Sequence, residues 1–229
     1  MPMLAQIKPA KEASLGQSVR VLLTERLITG VYSPGEKLSL RSVAAGLGVS
    51  MTPVREAVSR LVADGALEVA PNKAVRVPIL DFARFRELTA LRIQIEGMAA
   101  AWAAAARDKT DLSAIAGAEK GFRDERSKAR PQLARTVAMN HKFHFAVYRA
   151  AKSPMLVEII VGLWLKAGPI LNFDMARNTS WVSSTAGERY HAAALAALER
   201  QDRDAARAAI AGDIQQASDR IIALGQLPE

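Results

Sequence analysis

Apolar residues recur at helical spacing along most of the chain. Val19, Leu22, Leu23, Leu27 and Ile28 share one face of a helix predicted over 14–29. Ser14 and Gln17 have capping-box spacing at its start, and Gly30 stops it. Leu40, Val43 and Ala44 mark the inward face of a short second helix over 39–46. Val54, Ala57, Val58 and Leu61 do the same for a third, which opens from a tight turn at 47–50 and runs to about Asp64. Gly48 tolerates the backbone angles of that turn, and Ser50 is placed to cap the helix. Pro53 lies in the first helical turn, where its missing N–H costs little. Two short strand-like stretches, 66–70 and 75–79, flank Pro71-Asn72-Lys73-Ala74 and predict a hairpin. Three helices followed by a hairpin make a winged helix-turn-helix.

Beyond Pro78 the pattern changes. Asp81 is placed as an N-cap, and nearly everything after it has helical periodicity. Helices are predicted at about 82–106, 111–128, 132–151, 155–170, 186–200 and 204–224. The fold class expected is mainly α: an N-terminal winged helix-turn-helix and a C-terminal all-α helical bundle. The domain organisation read from the sequence is a flexible leader at 1–12, a winged helix-turn-helix domain at 13–80 and a helical domain at 81–229, with a hinge near 77–81. The stretch 172–186, polar around Trp181, carries no clear pattern.

Composition supports this picture. Of 229 residues 50% are hydrophobic and only 5% aromatic, which favours packed helices over sheet. The net charge of +8 favours an anionic partner, nucleic acid first. It is spread evenly: residues 1–80 hold ten basic and six acidic side chains, which leaves +4 for the rest. No cysteine is present, so disulfides and thiolate metal sites are excluded and a cytoplasmic location is expected. No apolar run is expected to reach the length of a membrane span, and the first residues lack a signal-peptide core.

The candidate chemistry begins at the third helix. Ser50, Thr52 and Arg55 project from its N-terminal end. Free N–H groups and the helix dipole there meet phosphate, while side chains reach base edges. One such domain buries too little surface for tight specific binding, which a symmetric dimer on a palindrome overcomes.

Several motifs fall in order and register: Ile28-Thr29-Gly30, Pro34-Gly35-Glu36-Lys37-Leu38, Leu47-Gly48-Val49-Ser50, Thr52-Pro53-Val54-Arg55-Glu56-Ala57-Val58 and Pro71-Asn72-Lys73. On these the N-terminal part resembles the GntR family of bacterial transcription regulators. Leu91-Arg92 with Glu96, Asn140 with Phe143-His144, and His191 with Asp202 make the second half similar to the FadR-type branch, whose C-terminal effector-binding domain is called FCD. The resemblance implies a repressor that dimerises through its helical domains on operator DNA and answers to a small carboxylate effector. It implies that Arg41 and Arg55 contact bases or phosphates. Ser50, Thr52 and Pro53 would then pack on backbone and groove, with Asn72 and Lys73 at the wing tip reaching the neighbouring groove. Two positions depart from the family pattern: Met51 stands where an arginine is common, and Leu40-Arg41-Ser42 where Glu-Arg-Glu is common.

Asn140 and His144 lie four apart on one helix face. His191 lies eleven residues before Asp202 and Asp213 eleven after, so a helical hairpin turning there brings them side by side. Asn140, His144, His191 and Asp213 thus form a candidate cage for a divalent metal such as Zn, Ni or Mn. The resemblance implies Asp or Asn followed by three His at these places, so Asp213 replaces the last histidine. The alternative is a metal-free pocket in which His144 and His191 bind the effector directly. His141 is expected on the surface. By resemblance Arg92 faces the same pocket and would take an effector carboxylate, or else it pairs with Glu96 at i+4. Trp102, Trp164 and Trp181 are assigned to packing. The rival reading is a metal-dependent enzyme on a helical bundle with incidental DNA binding, and a third is a purely architectural DNA binder. Neither a general base nor a nucleophile stands out beyond the metal ligands.

Overall fold

The structure, a computed structural model, describes residues 14–177, 185–225, 227 and 228. The expected leader at 1–12 and Trp181 lie outside the described residues. The chain divides into two compact units, one running to Ile79 and including Leu165–Ile170, the other holding the remainder.

The first unit contains α1 (Leu15–Ile28), α2 (Leu40–Leu47), α3 (Met51–Ala63), β1 (Glu68–Val69) and β2 (Val75–Arg76). Val19, Leu23, Leu27, Leu47, Val54, Ala57 and Leu61 form its core, as their spacing requires. Each large member of that set contributes about 1.5–3 kcal/mol by leaving water. The Ser14 side chain accepts the Gln17 N–H at 3.2 Å, and Gly48 closes α2 with φ +66°. The hairpin is shorter than expected. Glu68 pairs with Arg76 and Val69 with Val75. Ala66 and Leu67 send their N–H groups back to the Leu61 carbonyl and so finish α3 instead of joining the strand. Leu38 N–H donates to Val75, Gly35 N–H to Val77, and Val77 N–H to Glu36, so segment 35–38 takes the other edge of β2.

The second unit is a bundle of α4 (Phe82–Ala106), α5 (Lys109–Arg126), α6 (Leu133–Ala150), α7 (Pro154–Arg177, except its Leu165–Ile170, which count with the first unit), α8 (Ala186–Glu199) and α9 (Arg203–Ala223). Asp81, Asp108 and Asp202 cap α4, α5 and α9 through their side chains. α4 packs on α9, α6 and α8, and α5 on α6 and α8. Ala99, Ala100, Ala101, Ala103 and Ala104 are fully enclosed, so the alanine-rich tract lets α4 approach its neighbours inside the bundle. Between α8 and α9, Gln201 adopts φ +58° and the chain reverses.

α7 corrects two expectations. It continues through Pro169 to Arg177, beyond the predicted end near 170. Its stretch Pro154–Asn172 is also long and apolar enough to cross a membrane by length and composition. Leu156, Ile160 and Trp164 are nonetheless enclosed, and the Trp164 indole donates to a buried carboxylate, which is the behaviour of a core helix.

Candidate functional site

The sequence places Ser50 at the N-cap of α3, and its backbone is extended there, but its hydroxyl makes no capping hydrogen bond. The first N–H groups of α3 are therefore available to an outside anion. Thr52 and Arg55 are exposed beside them, and Arg41 is exposed on the first turn of α2. Among the described residues neither arginine forms an ion pair, whereas Arg20 and Arg76 are held by Asp64 and Glu68. Pro53 does not belong to this surface. It is buried on the inward face with Ala57 and Leu61, because position 53 shares the helical phase of the apolar stripe. At the wing tip Asn72 and Lys73 are exposed. The Asn72 carboxamide oxygen accepts the Ala74 N–H at 3.1 Å and shapes the turn, and Lys73 takes a left-handed φ of +62°. Such a backbone costs a non-glycine residue on the order of 1–2 kcal/mol.

The bundle encloses a polar cluster among its apolar side chains. His144 on α6, His191 on α8 and Asp213 on α9 each offer a ligand atom, all within 4.8 Å of one another. The two histidines are buried. His144 Nε2 lies 3.2 Å from Asp213 Oδ2, and its Nδ1 is 3.0 Å from the Tyr148 hydroxyl. His191 is stacked on Phe143 with centroids 4.0 Å apart and tilted on Phe122 at 4.6 Å. Among the described residues neither of its nitrogens has a hydrogen-bond partner. Asn140 lies one helical turn before His144 and is half-buried.

Glu96 on α4 is fully buried below this group. It accepts from Arg92 Nε at 2.7 Å, from Trp164 Nε1 at 2.9 Å and from the Tyr148 hydroxyl. The Arg92 guanidinium also lies over the Trp164 ring, 5.1 Å from its centroid. Of the two roles weighed for Arg92, the structure thus contains the ion pair with Glu96.

Electrostatics follow from burial and partners. Burial pushes His191 down to about 3, against the pull of Asp213 and helped by His144 and Arg126, so the ring is neutral at physiological pH. Burial alone would raise Asp213, but the His144 hydrogen bond and the nearby His191, His144 and Arg92 hold it below its usual value. Burial would likewise lower Arg92, and the Glu96 carboxylate more than reverses this. His141 is not the surface residue expected. It packs 4.3 Å from Phe145 and 5.6 Å from Trp164, and burial takes it down to about 4.

A neutral imidazole with a bare buried lone pair, a second imidazole and a carboxylate suit a divalent cation. The unpartnered His191 nitrogens are the observation that favours one: a buried polar atom without a partner is costly, and a ligated one is not.

Comparison with known proteins places the chain. Residues 15–77 match the family described as bacterial regulatory proteins, gntR family, and residues 87–216 match the FCD domain. The HTH-type transcriptional regulator McbR of Escherichia coli (strain K12) is 32% identical over 206 residues, covering 90% of this chain and 92% of that protein. The chain belongs to the GntR family. It is a GntR transcriptional regulator with an FCD domain, of a family of DNA-binding regulators and not of enzymes. The solved structure of E. coli McbR/YncC matches at a TM-score of 0.84 and 30% identity, covering 93% of this chain and all of that one. A putative GntR regulator from Rhodococcus sp. RHA1 matches in fold at 0.71 and 22% identity, covering 92% of this chain and 99% of that one. The HTH-type transcriptional repressor RspR of E. coli (strain K12) is 24% identical over 225 residues, 96% of this chain and 94% of that protein.

Within the FCD domain, sequence reasoning found His144, His191 and Asp213 but missed three residues that support them. Glu96 entered only as a partner for Arg92, Trp164 only as packing, and Tyr148 not at all. A carboxylate set among isoleucine, glycine and alanine on α4 was one usable signal. Another was the i, i+4 spacing of His144 and Tyr148.

Proposed function

We propose that this GntR regulator is a cytoplasmic repressor of the FadR-type branch that binds a palindromic operator as a homodimer. The observation that carries the DNA reading is the bare start of α3. Ser50 leaves its capping valence unused, and Thr52 and Arg55 stand exposed beside free N–H groups. Arg41, Asn72 and Lys73 add cations and donors around it. The sign of regulation draws on RspR, which is named a repressor. The hairpin of α8 and α9 and the facing α6 supply His144, His191 and Asp213 to a divalent metal such as Zn, Ni or Mn, with Asn140 as an adjacent neutral donor. Such an ion would supply a fixed positive charge and open coordination positions for an organic-acid effector. Arg92, whose Nε edge is taken by Glu96, adds a second positive group near Asp213. Effector control of DNA affinity is bounded by the effector's preference for one arrangement of the reading heads over the other.

The dimer reading draws on α4. Leu91 and Trp102 are exposed, and Ile95 and Met98 between them are half-exposed, giving an apolar stripe at i, i+4, i+7 and i+11. Met155 and Ile159 add exposed apolar surface on α7. Faces of this kind on a bundle helix suit isologous contact with a second copy.

The test is operator selection from a random duplex pool, followed by fluorescence anisotropy at fixed salt. Arg55→Ala is expected to lose about 1–3 kcal/mol of discrimination between selected and scrambled duplex. Binding without sequence preference, or unchanged in Arg55→Ala, overturns the reading.

A further inference from the structure

We infer that Tyr148, anchored by Glu96, is a positioning residue that fixes which nitrogen of His144 faces His191 and Asp213. This rests on the reading of that cluster as a metal site. The argument starts from proton counting. Tyr148 has one hydroxyl hydrogen, and it donates that hydrogen to Glu96 Oε2. Its oxygen is then an acceptor toward His144, so His144 Nδ1, 3.0 Å away, must bring the hydrogen to that contact. The remaining nitrogen, Nε2, points at Asp213 Oδ2 at 3.2 Å. Without an ion the Nε2–Asp213 contact is a hydrogen bond and takes a proton on Nε2; a divalent ion would replace that proton on the Nε2 lone pair and leave Nδ1–H on Tyr148.

The roles cannot be exchanged in place. Glu96 and Tyr148 are fully buried, and His144 and Trp164 nearly so. Arg92 and Trp164 hold the carboxylate from its other sides, so its acceptor toward Tyr148 is fixed. A hydrogen-bonded partner behind a ligating imidazole sets its tautomer and orientation, and loss of such partners typically costs about 10–100-fold in metal affinity. Here a tyrosine takes that place and relays the orienting effect of a carboxylate that never touches the ligand itself.

The experiment is a Zn²⁺ titration in competition with a chromophoric chelator, on the full chain and on Tyr148→Phe, which keeps the ring and removes the oxygen. Ser218→Ala serves as the matched destabilised control, because it deletes the buried Thr89–Ser218 hydrogen bond outside the cluster. Tyr148→Phe is expected to bind Zn²⁺ about 10–100-fold more weakly and Ser218→Ala as tightly as the unmodified protein. Equal affinity in Tyr148→Phe, or an equal loss in both variants, overturns the inference and leaves the metal site standing. Failure of the unmodified chain to bind Zn²⁺ removes the metal site and the inference with it. Long-range ¹H–¹⁵N correlation on the Zn²⁺-loaded unmodified chain needs no variant. It is expected to show hydrogen on His144 Nδ1, and hydrogen on Nε2 instead overturns the inference.

Discussion

At the scale of single residues, the bundle interior is held by a few polar side chains whose surroundings decide their charge. His191 sits against Phe143 and Phe122 with both nitrogens unpartnered and its pKa depressed to about 3. In the unfolded chain the same ring titrates near its ordinary 6.5. Between those values the unfolded state binds a proton that the native state refuses, so stability must fall as pH drops from 6.5 toward 3. His141, taken down to about 4, adds in the same direction. Urea unfolding of chelator-treated protein is expected to lose on the order of 1 kcal/mol per pH unit through the upper part of that window. His191→Phe, which suits the aromatic box, is expected to flatten the slope; a slope unchanged in that variant would count against a buried neutral histidine. Residue chemistry was partly legible beforehand. Equal distances of His191 and Asp213 from the turn at Asp202 located both, since two helices running to a tight reversal keep register. Glu96, Tyr148 and Trp164 were not legible as a group, because they come from α4, α6 and α7 and only tertiary packing brings them together.

At the scale of elements, caps and periodicity carried most of the information. Asp81, Asp108 and Asp202 begin three helices through side-chain hydrogen bonds. The hairpin was the weak point. Half of the expected pairing of β2 goes to residues 35–38, a partner far back in the chain with no local signal, and Ala66 and Leu67 are spent on closing α3. Pro53 shows a related limit: its place in the first turn was right, but helical phase turns it inward, away from the DNA-facing end. Two hydrogen bonds from one side chain on α4 reach the end of α8. Arg107, at the C-cap of α4, donates from Nε to Leu198 O at 3.0 Å and from Nη2 to Glu199 O at 2.8 Å. The Leu198 carbonyl also accepts the Gln201 N–H at 3.2 Å, whereas the Glu199 carbonyl is of the kind that the last turn of a helix cannot satisfy itself. Arg107→Ala is expected to destabilise the FCD domain by about 1–2 kcal/mol, read as a lower urea midpoint with unchanged slope. No shift in the midpoint would mean that solvent replaces the guanidinium without cost.

At the scale of the whole molecule, the proposed operator reading depends on two copies acting together. The stripe of Leu91, Ile95, Met98 and Trp102 is an exposed apolar face on α4, the one proposed to meet a second copy. Charging its two ends, Leu91→Glu with Trp102→Glu, is expected to give a monomer in sedimentation velocity. Operator affinity should fall at least about tenfold while Zn²⁺ affinity of the bundle stays unchanged, since one half-site alone contributes only part of the binding surface. A dimer that survives both charges would move the contact elsewhere. The interior of the same helix constrains the chain's history in another way. Losing Arg92 alone strands the Glu96 carboxylate, and losing Glu96 alone strands the guanidinium, each in a place water does not reach. Either single loss costs about 3–5 kcal/mol, whereas exchanging both at once for apolar residues restores neutrality and leaves only the Tyr148 hydroxyl and the Trp164 N–H to find new acceptors. The two codons are therefore yoked: across diverging descendants they should drift in step, through rare paired changes, or stand still.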